Sequence, residues 1–208
     1  MLTNLEGGLI KEDDTVVEFG SSTGAFLSKL GGKRKIGVEI NLAGRNYARE
    51  NFGLETVPYP ELLQDNSVDF VYSSQVIEHV EAPLQELRIL FNKLKPGGTF
   101  MIIIRNDGID TSQVWNGAPD QNNHIYTWNE LLLGNLMTAA RFQVDKVESL
   151  YGAWPSNWEE LRAKMTDAEW SKLVVEEGKK RGVVTVILVA KKPKNAKNHI
   201  FNFCSNQE

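Results

Sequence analysis

The chain has 208 residues, 41% hydrophobic and 24% charged, which supplies a full domain core and excludes a disordered chain. Its net charge of -4 offers no basic footprint for nucleic acid, and its longest apolar runs, such as "VILVA", fall far short of the roughly 20 residues that span a bilayer. The one cysteine, Cys204, closes no internal disulfide, and "MLTNLEGGLIKEDD" carries no leader pattern, so a soluble cytoplasmic protein is expected.

In chain order, "TVVEF" (15–19) reads as a strand, followed by "KIGVEI" (35–40), a weaker "LETVP" (54–58), "VDFVYSS" (68–74) and "TFMIII" (99–104). Such near-continuous apolar strands suit a parallel sheet covered on both faces. Pro83 opens a helix whose apolar residues Leu84, Leu87, Phe91 and Leu94 recur at helical spacing, and "PGG" (96–98) stops it. "TWNE" from Thr127 reads as a capping box ahead of Leu131, Leu132, Leu136 and Ala140. "FQVDKVESLY" and "VVTVILVAKK" are two further strands, separated by about thirty residues where a hairpin needs only a few. That insert, residues 152–181, carries the boxes "SNWE" and "TDAE" and the tryptophans Trp154, Trp158 and Trp170. The predicted fold is a three-layer α/β sandwich with a mostly parallel seven-stranded sheet and an antiparallel last strand. A helical insert, a possible substrate lid, lies between the last two strands. Residues 1–192 form one domain and 193–208 a flexible tail.

The stretch "VVEFGSSTGAF" runs a strand into two glycines, Gly20 and Gly24. Where such a turn feeds a helix, open backbone N–H groups and the helix dipole favour a polar or anionic ligand. A tight turn without a ligand is the plain alternative, since a lone glycine motif is a weak signal. Glu39, nineteen residues after Gly20 and at the end of the next strand, shifts the balance, because an acid there accepts hydrogen bonds from ribose hydroxyls. The glycine spacing departs from the dinucleotide fingerprint, so a pyrophosphate fits less well than the amino-acid end of S-adenosylmethionine. A nicotinamide oxidoreductase is accordingly the weaker reading.

With these stretches in view, the chain resembles the class I S-adenosylmethionine-dependent methyltransferases of the small-molecule branch. "VVEFGSSTGAF" is similar to their first motif, "VEIN" to their acidic second motif, and "VDFVYSSQVIEHV" to their fourth strand. "LKPGGTFMI" and "HIYTWNELLLGNLMTAARFQV" are similar to the elements that follow. Ser22 stands where that first motif has its central glycine. The resemblance implies that Glu18 fixes the loop and the cofactor's amino group, and that Gly20, Ser22 and Gly24 surround the methionine end. It also implies that Glu39 takes the ribose hydroxyls, that Ile40 packs on the adenine with residues 59–62 at its other edge, and that Ser74 and Gln75 line the reacting centre.

Methyl transfer is an in-line displacement at carbon, so the protein must align the acceptor and remove its proton. Of three histidines, His199 lies in the tail. His79, in "IEHV", and His124, at the end of a long polar loop, both belong near the carboxyl ends of the strands, and each has a structural alternative. His124 is slightly preferred as the base, with His79 second and Glu78 weaker. Asp107, Asp110 and Asp120 are more readily turn residues than ligands, and the aspartate of catechol-type relatives is replaced by "SSQ" at 73–75, so no metal is assigned. Trp115, Trp128, Trp154 and Trp158 are candidates for a substrate wall, Trp154 or Trp158 being nearest the pocket. The expected activity is O-methylation of a hydroxylated small molecule such as a sugar or nucleotide-sugar. A phenol or quinone acceptor, or a protein that binds the cofactor without turnover, is the alternative.

Overall fold

The computed structural model describes residues 8–106, 117 and 122–195. Within them run β1 (Thr15–Phe19), β2 (Arg34–Val38), α1 (Leu42–Phe52), β3 (Glu55–Val57), β4 (Val68–Ser74), α2 (Pro83–Lys93) and β5 (Leu94–Arg105). There follow α3 (Glu130–Ala139), β6 (Gln143–Tyr151), α4 (Trp158–Lys164), α5 (Asp167–Arg181) and β7 (Val184–Lys191). The strands form one sheet in the order β3-β2-β1-β4-β5-β7-β6. The first five are parallel, and β7 runs antiparallel to both β5 and β6. The predicted sandwich, with its antiparallel last strand and helical insert, is the observed one. Because β2 and β4 flank β1, successive crossovers leave β1 in opposite directions and open a crevice at its carboxyl end.

Side chains alternate between the two faces of the sheet, as the pleat requires. Val17, Val71, Phe100, Ile102 and Leu188 point to one face, where Leu87, Leu90 and Phe91 of α2 and Leu133 and Met137 of α3 complete a large core. Val16, Phe70, Tyr72, Met101, Ile103 and Ile187 point to the other, where Leu27, Leu30, Leu54 and Ala48 of α1 form a smaller one.

Several local expectations give way to tertiary context. No α-helix follows the glycine turn, only a three-residue 3₁₀ turn at Leu27–Lys29. Six residues separate Gly24 from the Gly31-Gly32 pair, fewer than two helical turns. Helix α2 ends at Lys93, before the proline, because Leu94 is already extended and paired with Val68. Pro96 also biases the residue before it to extended backbone. The box at Thr127 does not form. Ile125 and Tyr126 donate their N–H groups to the Glu78 carbonyl at 2.9 and 3.2 Å, and Trp128 is buried. The chain therefore stays extended until Asn129, which caps α3 by accepting from the Leu132 N–H at 2.9 Å. Helix α4 begins behind Asn157 rather than Ser156, without a side-chain cap. The box at Thr166 does form: Thr166 accepts from the Glu169 N–H, and Glu169 accepts from the Thr166 N–H at 2.9 Å.

The insert docks on the smaller core through Trp170 and Val174 of α5. Gly178 allows the approach, since a Cβ there would stand 2.2 Å from the backbone nitrogen of Gly152. The tail beyond residue 195 lies outside the described residues, as do His199 and Cys204.

Candidate active site

The glycine turn sits at the carboxyl end of β1. Gly20 has φ +77°, and a Cβ there would meet Val76 at 2.2 Å, so both backbone conformation and space demand glycine. Ser22 has φ +49°. It takes the left-handed conformation with a side chain, which costs about 1–2 kcal/mol there. Gly24 is left-handed too.

The turn does not hold the row of open N–H groups expected from its sequence. Gly20 and Ser21 donate to the Val38 carbonyl at 2.8 and 3.1 Å, and Gly24 donates to Ser21 at 2.7 Å. Ser22 donates to the Glu39 carboxylate at 2.8 Å. With no helix behind it, the loop has these four N–H groups committed and is tied to β2 through Val38.

Glu18 is buried beneath the turn and accepts from the Leu27 N–H at 3.1 Å, which ties the loop to the strand. Glu39 directly follows β2, with one carboxylate oxygen accepting from the Ser22 N–H and the other from the Asn41 N–H at 2.7 Å. The next residue, Ile40, is 73% exposed, and Leu62, in the 3₁₀ turn Pro60–Leu62, is 64% exposed. A carboxylate fixed by two amides, beside bare apolar side chains at the crevice where crossovers diverge, suits a ribose diol and an adenine ring. By donor chemistry and place, these residues fit S-adenosylmethionine.

Ser74 ends β4, paired with Ile103. Gln75 follows at φ +56°, an uncommon conformation for a side chain other than glycine and one that recurs at functional sites. In the amide orientation that satisfies its neighbours, Gln75 accepts from the Arg105 N–H at 2.9 Å and donates to the Glu78 carboxylate at 3.2 Å. The 3₁₀ turn Ile77–His79 then carries a buried Glu78 and an exposed His79. The two predicted histidines, 45 positions apart in sequence, meet here with ring centres 4.9 Å apart. His79 Nδ1 lies 3.3 Å from the Asn123 carbonyl. Glu78, His79 and His124 bring one potential ligand atom each within 4.8 Å of one another.

Gln75 also lines a pocket of about 400 Å³ on the smaller-core face, between the 3₁₀ turn at Leu27–Lys29 and the insert. Its walls include Phe26, Ile103, Ile187, Trp154, Trp158 and Trp170, with Lys29, Arg162 and Thr185 among the polar residues. Trp154 and Trp158 therefore stand where expected, at 4.8 Å between ring centres, and Trp170 joins them at 6.1 Å from Trp154. Trp128 does not: it is buried in the larger core on the opposite face. Trp115, Asp107, Asp110 and Asp120 lie outside the described residues. The sequence reading gave Glu78 less weight than the histidines it stands beside and missed the pocket wall from β5, β6 and β7. An acid beside a histidine in a short turn was the available signal for Glu78, while Ile103 and Ile187 look like any core residue.

The model of the family described as "Methyltransferase domain" matches residues 2–147. The chain belongs to that family, in the class I fold of the S-adenosylmethionine-dependent methyltransferases. A malonyl-[acyl-carrier protein] O-methyltransferase from Marinomonas sp. (strain MWYL1) is 27% identical over 145 residues, 61% of this chain and 52% of that protein. The chain thus spans about half the length of that curated relative. Among solved structures, the complex of the Haloferax volcanii Trm112 methyltransferase activator with a methyltransferase matches at TM-score 0.67 and 21% identity. That match covers 93% of this chain and 89% of the other. A methyltransferase structure from Bacillus halodurans C-125 matches at TM-score 0.68 and 15% identity, covering 92% and 98%. At such identities these likenesses concern the fold. Among the described residues, no helix is long and apolar enough to cross a membrane.

Proposed function

We propose that this methyltransferase-family chain moves a methyl group from S-adenosylmethionine to a hydroxyl of a small acceptor held in the tryptophan-walled pocket. One observation carries the reading: Gln75 lines that pocket and also bonds Glu78, the buried neighbour of the histidine pair. The acceptor's cavity and the groups that handle its proton are thereby joined through one side chain at the end of β4.

S-adenosylmethionine, when bound, supplies an electrophilic methyl carbon on a sulfonium. In this reading Glu39 holds the ribose diol, Ile40 and Leu62 flank the adenine, and Gly20, Ser22 and Gly24 shape the methionine end above Glu18. The aromatic walls align the acceptor oxygen, an effect worth roughly 7–11 kcal/mol in well-oriented reactions. The oxygen–carbon bond forms as the carbon–sulfur bond breaks, the electron pair stays on sulfur, and the acceptor proton leaves toward the His124–His79 cluster. Helices α4 and α5 serve as the substrate cover.

Of the acceptor classes left open by the sequence, the pocket favours a planar phenol- or quinone-type molecule over a sugar. Three indoles and four aliphatic side chains supply stacking area and few of the paired hydrogen-bonding groups that a sugar needs. The polar loop that motivated the sugar reading lies for the most part outside the described residues. The test is a screen of phenolic and sugar hydroxyl compounds with S-adenosylmethionine, read by product mass. Methylated phenols, with turnover falling about 10²–10⁴-fold in His124→Ala, support the reading. Methylated sugars alone would overturn the acceptor class. Calorimetric binding of S-adenosylmethionine without any methylated product would favour a protein that binds the cofactor without turnover.

A further inference from the structure

We propose that Glu78, His79 and His124, which lie beyond Gln75 rather than in the pocket wall itself, form a site for a divalent transition-metal ion that would bind an acceptor hydroxyl reaching past Gln75. This rests on the acceptor chemistry above and changes how the proton is removed. Two imidazoles and one carboxylate are a donor set suited to the manganese-to-zinc series, and three protein ligands leave positions open for a substrate oxygen. Ligand bonds of about 2.0–2.2 Å place donor atoms as much as about 4.4 Å apart around one ion. Only a trans pair reaches that separation; in a tetrahedral site the donors stand roughly 3.3–3.6 Å apart, so the three donors here, which lie within 4.8 Å of one another, must draw together by side-chain rotation to share an ion.

Two further features distinguish the cluster from a chance meeting of polar groups. Its outer contacts are those that orient metal ligands. His79 Nδ1 faces the Asn123 carbonyl at 3.3 Å, and in the tautomer that donates there Nε2 keeps its lone pair for a metal. The Gln75 amide bonds one oxygen of the Glu78 carboxylate and so restrains it. The backbone is also clamped. Ile125 and Tyr126 both donate to the Glu78 carbonyl, and the Tyr126 hydroxyl donates to the Glu81 carbonyl at 3.0 Å. These bonds set the histidine that precedes α3 against the turn that follows β4. His79 is exposed, which leaves a route for an ion from solvent.

An ion held there would act as a Lewis acid on the acceptor oxygen. On coordination the hydroxyl loses its proton to solvent. The oxygen then forms its bond to the methyl carbon as the carbon–sulfur bond breaks, and sulfur keeps the electron pair. The histidines serve as ligands in this scheme rather than as the proton's destination.

The test uses the full chain, stripped with EDTA and titrated with Co²⁺, followed by visible d–d absorption and calorimetry, with circular dichroism to verify folding. The expected result is one Co²⁺ per chain. His79→Ala and His124→Ala should each weaken binding more than about a hundredfold, beyond the 10–100-fold typical of outer-contact residues, and Gln75→Ala by about tenfold. If an alanine variant misfolds, His124→Gln and Glu78→Gln keep the shape and give the same reading. Absence of stoichiometric Co²⁺ binding, or binding unchanged in both histidine variants, overturns the site. Methyl transfer that survives EDTA without Co²⁺ binding leaves the proposed function standing without the metal. Stoichiometric Co²⁺ with no acceptor methylated has the opposite meaning: the site stands and the proposed function falls.

Discussion

The two faces of the sheet are built for different purposes. One is closed by α2 and α3, whose leucines, Phe91 and Met137 interdigitate with Phe100 and Phe142. The other is closed by α1, a 3₁₀ turn and the insert, and it retains a pocket of about 400 Å³ between the last two. Only a three-residue 3₁₀ turn follows the glycine turn on that side, and Phe26 and Lys29 at that turn face the tryptophans across the cavity. The closed face carries the larger cluster of buried apolar residues, and the open face has a cavity.

The largest expected contrast is in stability. Phe100→Ala, on the closed face, removes a fully buried ring and should cost about 3–5 kcal/mol, while Ile187→Ala, on a wall that already borders a cavity, should fall at the low end of the 2–5 kcal/mol range. Urea midpoints for the two variants measure this directly, and equal losses would refute the contrast.

Next in size is the rim of the crevice. Glu39→Ala removes a charged acceptor from two loop amides and, in the proposed site, from the ribose. Its loss should weaken S-adenosylmethionine binding by about 1.5–3 kcal/mol, roughly 10–150-fold, as measured by calorimetry.

The seating of the insert tests the open face without touching the crevice. Gly178→Ala drives a methyl group into the Gly152 backbone and must displace α5. Acceptor KM should rise about tenfold through the lost alignment, with cofactor affinity unchanged. A parallel loss of cofactor binding would mean that the two regions are not separable.

Two smaller effects complete the series. Ser22→Gly should stabilise the fold by up to about 1 kcal/mol in thermal unfolding, since glycine accepts φ +49° without a Cβ penalty. The gain is partly offset because glycine loses more freedom on folding. The last concerns Lys192, packed over the Phe91 ring at 4.9 Å, with its ammonium donating to Asn66 and the Leu94 carbonyl, each at 2.8 Å. Burial pushes its pKa down, an effect that nearby Asp65 partly counters. Between the folded pKa and the ordinary lysine value, the unfolded chain binds more protons, so stability rises with pH across that window. Lys192→Met should flatten the rise in alkaline unfolding curves.

The sequence by itself determined the strands and the order of the motifs, and it pointed to Gly20 and Glu39 as the proposed cofactor edge. Strand-length apolar runs, Gly20 and Glu39 carry their meaning in local chemistry and short spacing, so β1 and β4 were legible to the residue. The box at Thr166 was legible for the same reason. Tertiary structure decided what depends on distant partners. It moved the cap of α3 from Thr127 to Asn129 through two hydrogen bonds to Glu78, and sent Trp128 into the closed core. It also brought His124 against His79 and opened a pocket whose walls come from the 3₁₀ turn at Leu27–Lys29, β5, β6, the insert and β7. No local pattern encodes such meetings, because long-range contacts arise from how the sheet stacks its crossovers and where it leaves a face uncovered.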